Sequence, residues 1–355
     1  MSMSLFNETH NKELQGLLSW LGHPNRNPIQ INKLNESDCE IIQLNKNLFL
    51  YTTIDSIAEE ISLKMYTEPE TIGWVAAQAT LSDLAACGCK PLGVLLSTIW
   101  QFGTQLNFQK AIAASFQEVL KIQNCYLLGG DNGNASSTVI SCVGLGISDV
   151  PAKMRTGIQH NDFLCITGKS GRGAALCLDY LLNNSNRSFS EKLFRPHARI
   201  SEGNILQKYA NAVMDTSDGI LTTVKQLCEI NKIGIRLFWN EQTLDPLANN
   251  FCIANELPKS LIWISEHGDF ELMAAISPKF IKQAKEAIPN LEVIGQFDQS
   301  NNAHEFFYTI DNSQIKKVLS LNKTQFLANE KALGIENIKN KLKALISYLK
   351  DNKFP

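Results

Sequence analysis

The stretch EPETIGWVAAQATLSDLAACG, residues 68–88, constrains the fold more than any other. It opens on acidic residues and has Gly88 at its end, the marks of a helix start and stop. Its alanines let another element approach closely. One carboxylate, Asp83, stands inside it beside small and apolar neighbours rather than on a charged face. A lone carboxylate in such surroundings is costly unless it is paired or bound to a cation. The helix therefore asks for a close-packed neighbour and for a partner to Asp83.

Strands surround this helix in the pattern. The runs CEIIQL (39–44), LFLYTTI (48–54), PLGVLLSTIW (91–100) and STVISCVGLGI (137–147) read as strands. NFQKAIAASFQEVLKIQ (107–123) has helical period, and CYLLGGDNGN reads as a strand closed by a Gly-Asn turn. The run NKELQGLLSWLG (11–22) reads as a short amphipathic helix. The alternation breaks at SDVPAKMRTGIQHNDF (148–163), and Pro151 marks the expected domain boundary. Two domains also fit 355 residues, which exceed one ordinary core. The limits expected are 1–150, 151–321 and a Lys-rich helical tail, 322–355. In the second part, strands are expected at FLCITG, GIRLFW (234–239) and LEVIGQF (291–297), and helices after the loop KSGRGAA, at 200–210 and at 278–288. Both parts are α/β in character.

Charge and composition exclude several classes. The net charge of −2 gives no basic field for nucleic acid or an anionic membrane. No run approaches the about 18 apolar residues of a spanning helix. The start lacks a basic flank followed by an apolar block, so no signal peptide is expected. The nine cysteines lie mostly in apolar runs and read as reduced buried thiols of a cytoplasmic protein.

The chemistry is carried by acids. In NAVMDTSDGIL (211–221) an apolar strand is expected to end at Met214 and a helix to begin near Ser217. Asp215 then sits at the strand end and Asp218 in the first helical turn. Taken alone, the pair reads as a helix cap by Thr216 or Ser217 with an acidic neighbour. Other isolated acids change that weighing: Asp38 in ESDCEII, Asp55 in YTTIDS, Asp83, Asp131 in LLGGDNG and Asp269 in HGDFELM. Several carboxylates converging without enough bases between them suggest a hard cation with oxygen ligands, Mg²⁺ above all. Mg²⁺ so held commonly meets phosphates.

These segments, in this order from about residue 35 to 310, resemble the thiamine-monophosphate kinase family, one of the group sharing the aminoimidazole ribonucleotide synthetase fold. That family's Gly-Asp-Asp matches at Asp38, its Thr-Asp at Asp55, its Leu-Ser-Asp-Leu-Ala-Ala at Asp83 and its Gly-Gly-Asp at Gly129, Gly130 and Asp131. Its Arg-Ser-Gly-Ala matches RTGI at Arg155, and its Asp-x-Ser-Asp-Gly matches Asp215, Ser217, Asp218 and Gly219. Its Gly-Glu-Asp-Tyr-Glu-Leu matches HGDFEL. The resemblance implies a two-domain fold whose first-domain sheets join into a barrel across a homodimer, with an α/β sandwich behind. It also implies direct phosphoryl transfer from ATP. Asp38, Asp55, Asp83, Asp131, Asp215 and Asp218 would hold two or more Mg²⁺ ions, with Asp218 and Asp131 closest to the reaction. Gly130, Asp131, Arg155 and Ser217 would meet the nucleotide.

The departures fall on the acceptor side. The family's substrate-contacting His falls at Ser62, the Glu of Gly-Glu-Asp-Tyr at Gly268 and the first Asp of Gly-Asp-Asp at Ser37. Its closing Gly-x-Asp-His-Phe has no match after residue 310. Ser62, His267, Gly268 and Asp269 are the acceptor-side candidates, and the acceptor is left open. Two other readings remain: an ATP-dependent synthetase or cyclase of the same group, and a non-catalytic nucleotide-binding protein of regulation or assembly. TGKSGRGAA (167–175) lacks the Lys-Ser or Lys-Thr of a phosphate loop and reads as a tight strand-to-helix turn.

Overall fold

The computed structural model describes residues 25–183, 186–299, 305–310, 316–320 and 335–354, with Ser19, Leu21 and Gly22. The expected helix at 11–22 lies almost wholly outside the described residues. The chain runs β1 (Glu40–Asn45), β2 (Leu48–Ser56), α1 (Ala58–Ser62), α2 (Pro69–Ala86), β3 (Lys90–Gln101), α3 (Leu106–Ile122), β4 (Leu127–Ala135) and β5 (Val139–Ser148). It continues with β6 (Phe163–Ile166), α4 (Arg172–Asn183), α5 (Ile200–Tyr209), β7 (Ala210–Asp215), α6 (Ile220–Asn231), β8 (Gly234–Trp239), α7 (Pro246–Ala254) and α8 (Leu261–Ile264). Last come β9 (Leu272–Ile276), α9 (Ile281–Ala287), β10 (Glu292–Asp298), β11 (Glu305–Ile310), β12 (Lys316–Ser320) and α10 (Ile335–Asp351).

Two sheets result. The first has the order β1-β2-β5-β3-β4, antiparallel except for the parallel β3–β4 pair. The second has the order β12-β11-β8-β10-β6-β9-β7, antiparallel except for β11 on β8. No helix among the described residues is long and apolar enough to cross a membrane.

Helix α2 lies between the sheets. It packs on β2 and β5 of the first, on β7 of the second, and on α3 and α5. Its alanines and Gly73 explain this, because a side chain of any size would hold these neighbours off. Fourteen residues of this 18-residue helix are buried, so it has no wet face on which Asp83 could sit at ease. The polar segment after α4 straps onto the same helix. Glu191 accepts hydrogen bonds from the N–H groups of Thr67 and Glu68, both at 2.9 Å, meeting the free donors at the α2 N-terminus. Pro196 O accepts from Trp74 Nε1 at 2.7 Å, and Ala198 N donates to Gln78 Oε1 at 2.7 Å.

One expected turn is a strand. The Gly-Asn pair, Gly133 and Asn134, continues β4, because β3 offers it a parallel partner: Gly133 lies opposite Ile99 and Asn134 opposite Trp100, as Gly130 lies opposite Leu96 and Asp131 opposite Ser97. A Cβ on Gly130 would stand 1.9 Å from Leu96 O, so only glycine permits this approach. The strand sits at the sheet edge and is largely exposed. The nine cysteines are all free and buried. Helix α10, in the Lys-rich tail, packs on α4 through an apolar stripe that includes Leu342, Leu345 and Leu349.

Candidate active site

The acids converge where the two sheets meet at α2. Asp38 lies just before β1, Asp83 in the last turn of α2 and Asp215 at the end of β7. One carboxylate oxygen from each lies within 4.8 Å of the other two. Each position has a local cause. The C-terminal end of β7 carries Asp215 inward, where it is 2% exposed. Ser82 Oγ donates to its Oδ2 at 2.7 Å, and Ser217 Oγ to its Oδ1 at 2.9 Å. Thr53 on β2 donates to Asp83 Oδ2. Asp38 is held by Arg155, whose Nη2 stands 3.0 Å from Oδ1.

Charge is undercompensated in this cluster. Burial pushes Asp83 well above the usual carboxylate range, and Asp55, Asp215 and Asp38 add to it. Burial, and then Asp38, push Asp215 up to about 7 against the opposing bonds from Ser82 and Ser217. Asp55 rises to about 6, chiefly by burial, with Asp218 and Asp38 contributing, and its Oδ2 is buried without a partner. Three hard oxygen donors at this spacing, repelling one another in a poorly solvated place, fit a hard divalent cation.

The loop after β7 departs from expectation. Helix α6 begins at Ile220, not near Ser217, so Asp218 lies in the loop before the helix and is exposed. Neither Thr216 nor Ser217 caps it: Gly219 takes the cap position with φ 84°, and no side chain caps the helix. A Cβ there would stand 2.0 Å from Ser265 O. Gln226 Nε2 donates to Asp218 Oδ2 at 3.2 Å.

The segment His267–Asp269 closes over this loop. Gly268 N donates to Ser217 O at 2.9 Å, and a Cβ on Gly268 would stand 1.6 Å from Thr216 O. Asp269 accepts from the N–H groups of Gly171 and Gly173, so a carboxylate fills the N-terminal end of α4. The Gly loop is thus a tight turn, and Arg172 there pairs with Asp245 at 2.9 Å. His267 Nε2 meets Tyr66 Oη at 2.9 Å, joining the two parts of the chain beside the acidic loop.

The six expected metal ligands divide. Asp38, Asp83 and Asp215 come together, while Asp55 and Asp218 flank them closely enough to interact. Asp131 stands apart on the exposed edge strand β4. Ser62 is exposed at the end of α1. Sequence reasoning missed Ser82, Thr53, Tyr66 and Gln226. Ser82 alone carried a signal, as the neighbour of Asp83 in LSDL.

Fold and site together define a two-sheet α/β protein with an acidic, cation-seeking centre at the seam between its sheets. A family model for the AIR synthase related protein, N-terminal domain, matches residues 36–148. The thiamine-monophosphate kinase of Buchnera aphidicola subsp. Schizaphis graminum is 30% identical over 275 residues, covering 75% of this chain and 83% of that protein. The thiamine-monophosphate kinase of Methanocaldococcus jannaschii is 28% identical over 262 residues, covering 70% and 80%. The solved structure of AaThiL complexed with AMPPCP and TMP superposes with a TM-score of 0.69 at 20% identity, covering 89% of this chain and 99% of that one. The chain belongs to the thiamine-monophosphate kinase family.

Proposed function

We propose that the chain transfers the terminal phosphoryl group of ATP to thiamine monophosphate, giving thiamine diphosphate and ADP, with Mg²⁺ as the metal. The observation that carries this is the meeting of Asp38, Asp83 and Asp215 within 4.8 Å in a chain of this family. Asp38, Asp83 and Asp215 would hold one ion, with Asp55 and Asp218 placed to help hold a second. A bound Mg²⁺ supplies charge neutralisation at phosphate oxygens. Phosphoryl transfer needs positioning and charge balance more than a covalent nucleophile, and the chain's own groups serve that need. Ser82 and Ser217 fix both oxygens of Asp215. Gly268 N holds the loop of Ser217 and Asp218 in place. Tyr66 and His267 stand at the acceptor end, and Asp269 shapes that end by holding the Gly loop.

Gly130 and Asp131 would reach the nucleotide from a second copy. The exposed apolar side chains Leu95, Phe102, Leu106, Tyr126, Leu127 and Leu128, on or beside β3 and β4, support a homodimer joined there. On this reading residues 1–150 bind ATP and dimerise, residues 151–321 complete the site, and within the tail from 322 to 355 helix α10 braces α4. Nine free thiols suit the cytoplasm.

The test is incubation with ATP, Mg²⁺ and thiamine monophosphate, reading thiamine diphosphate by chromatography. A changed acceptor is the second reading. It is favoured by exposed Ser62 at the family's histidine position and by Gly268, where no side chain fits. ADP release with another metabolite, and no thiamine diphosphate, would decide for it.

A further inference from the structure

Arg155 pairs with Asp38 in a way that nucleotide binding alone does not explain. Its backbone is fixed on both sides: its N–H donates to Glu36 O at 2.9 Å, and its carbonyl accepts from Asn231 Nδ2 at 2.8 Å. Its side chain bridges Asn35 Oδ1, at 2.8 Å from Nη1, and Asp38 Oδ1, at 3.0 Å from Nη2. The pair is secluded, with side chains 12% and 2% exposed. The guanidinium Nε is buried and has no partner. The cation therefore sits against one of the three carboxylates that meet at the seam, and Asp215 and Asp83 feel its charge as well.

We propose that Arg155 is a positioning residue that stands in for the divalent ion. In the metal-free protein it places and neutralises Asp38. When a metal binds, it shares or yields that carboxylate, and its charge thereby sets how tightly the metal is held. The inference rests on the metal reading above. Two cations on one carboxylate cluster repel at a few ångströms, and seclusion from water weakens the screening of that repulsion. Breaking a buried ion pair by removing one partner destabilises the charge left behind. Loss of Arg155 should therefore weaken the metal-free fold and strengthen metal binding, two effects of opposite sign that a purely structural residue would not produce.

The test uses the full chain, stripped of metal and without ATP. Mn²⁺ is titrated by the resonance of the free ion, and melting is followed with chelator and with Mg²⁺. Arg155→Gln should bind Mn²⁺ about tenfold tighter. It should melt lower than the parent in chelator and gain more from Mg²⁺. Arg155→Lys, which keeps the charge, should return Mn²⁺ affinity towards that of the parent. Asn35→Ala loosens the same guanidinium without removing it. It should also bind Mn²⁺ more tightly, and it serves where Arg155→Gln fails to fold. Equal or weaker Mn²⁺ binding in the folded variants overturns the role of Arg155 and leaves the metal site standing. No Mn²⁺ binding by parent or variants overturns the metal site and this inference with it.

Discussion

Ser82 on α2 and Asp215 at the end of β7 meet at 2.7 Å, although 133 residues separate them in sequence. This contact joins the central helix to the second sheet at the acidic cluster. Asp215→Asn keeps the shape and removes one of three converging charges. Phosphoryl transfer should fall by about 10²–10³-fold, the scale of losing one organising group at a charged centre. The metal-free protein should melt higher than the parent, because repulsion is relieved. Steady-state kinetics and a melt in chelator check both.

Metal removal should matter more as pH rises. Asp55 and Asp215 are raised to about 6 and about 7 in the folded chain, above the about 3.9 of a free aspartate. The folded state thus binds more protons than the unfolded state between about pH 4 and 7, so stability falls as pH rises through that window. Below it these groups exact no penalty, and above it the penalty is full. A bound divalent ion offsets it. The melting temperature in chelator should decline from pH 5 to 8, and the gain on adding Mg²⁺ should grow over the same range.

Gly268→Ala should destabilise the chain by about 1–3 kcal/mol, as an extra carbon forced into a close-packed interior does. The added Cβ would press on Thr216 O at 1.6 Å, so the acidic loop must shift. Denaturant midpoints report the stability loss, and activity should fall beyond what the unfolded fraction explains.

Leu128→Lys places a charge on exposed β4, where Leu128 is 51% accessible. If the first sheets join there, light scattering should report a monomer in place of a dimer, with helix and strand content unchanged.

The acidic motifs were legible because local wording carries them: Asp38, Asp83 and Asp215 each sit among small or apolar residues that leave a carboxylate conspicuous. Most strands and helices were legible from their periods. The short helices α7 and α8 were missed, since a few residues show too little periodicity to separate a helix from a loop. The end of β4 was misread as a turn at Gly133 and Asn134 because glycine and asparagine signal turns locally, and the parallel pairing with β3 overrides that signal.

The sequence by itself determined which residue types are present at which spacing. It thereby set the family, the buried small-residue helix and the acids that must find a cation. The tertiary structure decided which acids meet. Asp38, Asp83 and Asp215 converge because α2 packs between two sheets, whereas Asp131 leaves on an edge strand. It also decided that Arg155 faces Asp38, that Asp269 serves a helix end and that Tyr66 reaches His267. Spacing along a chain governs neighbours within one element, while contacts between elements far apart in sequence depend on how layers stack, and no local pattern encodes that.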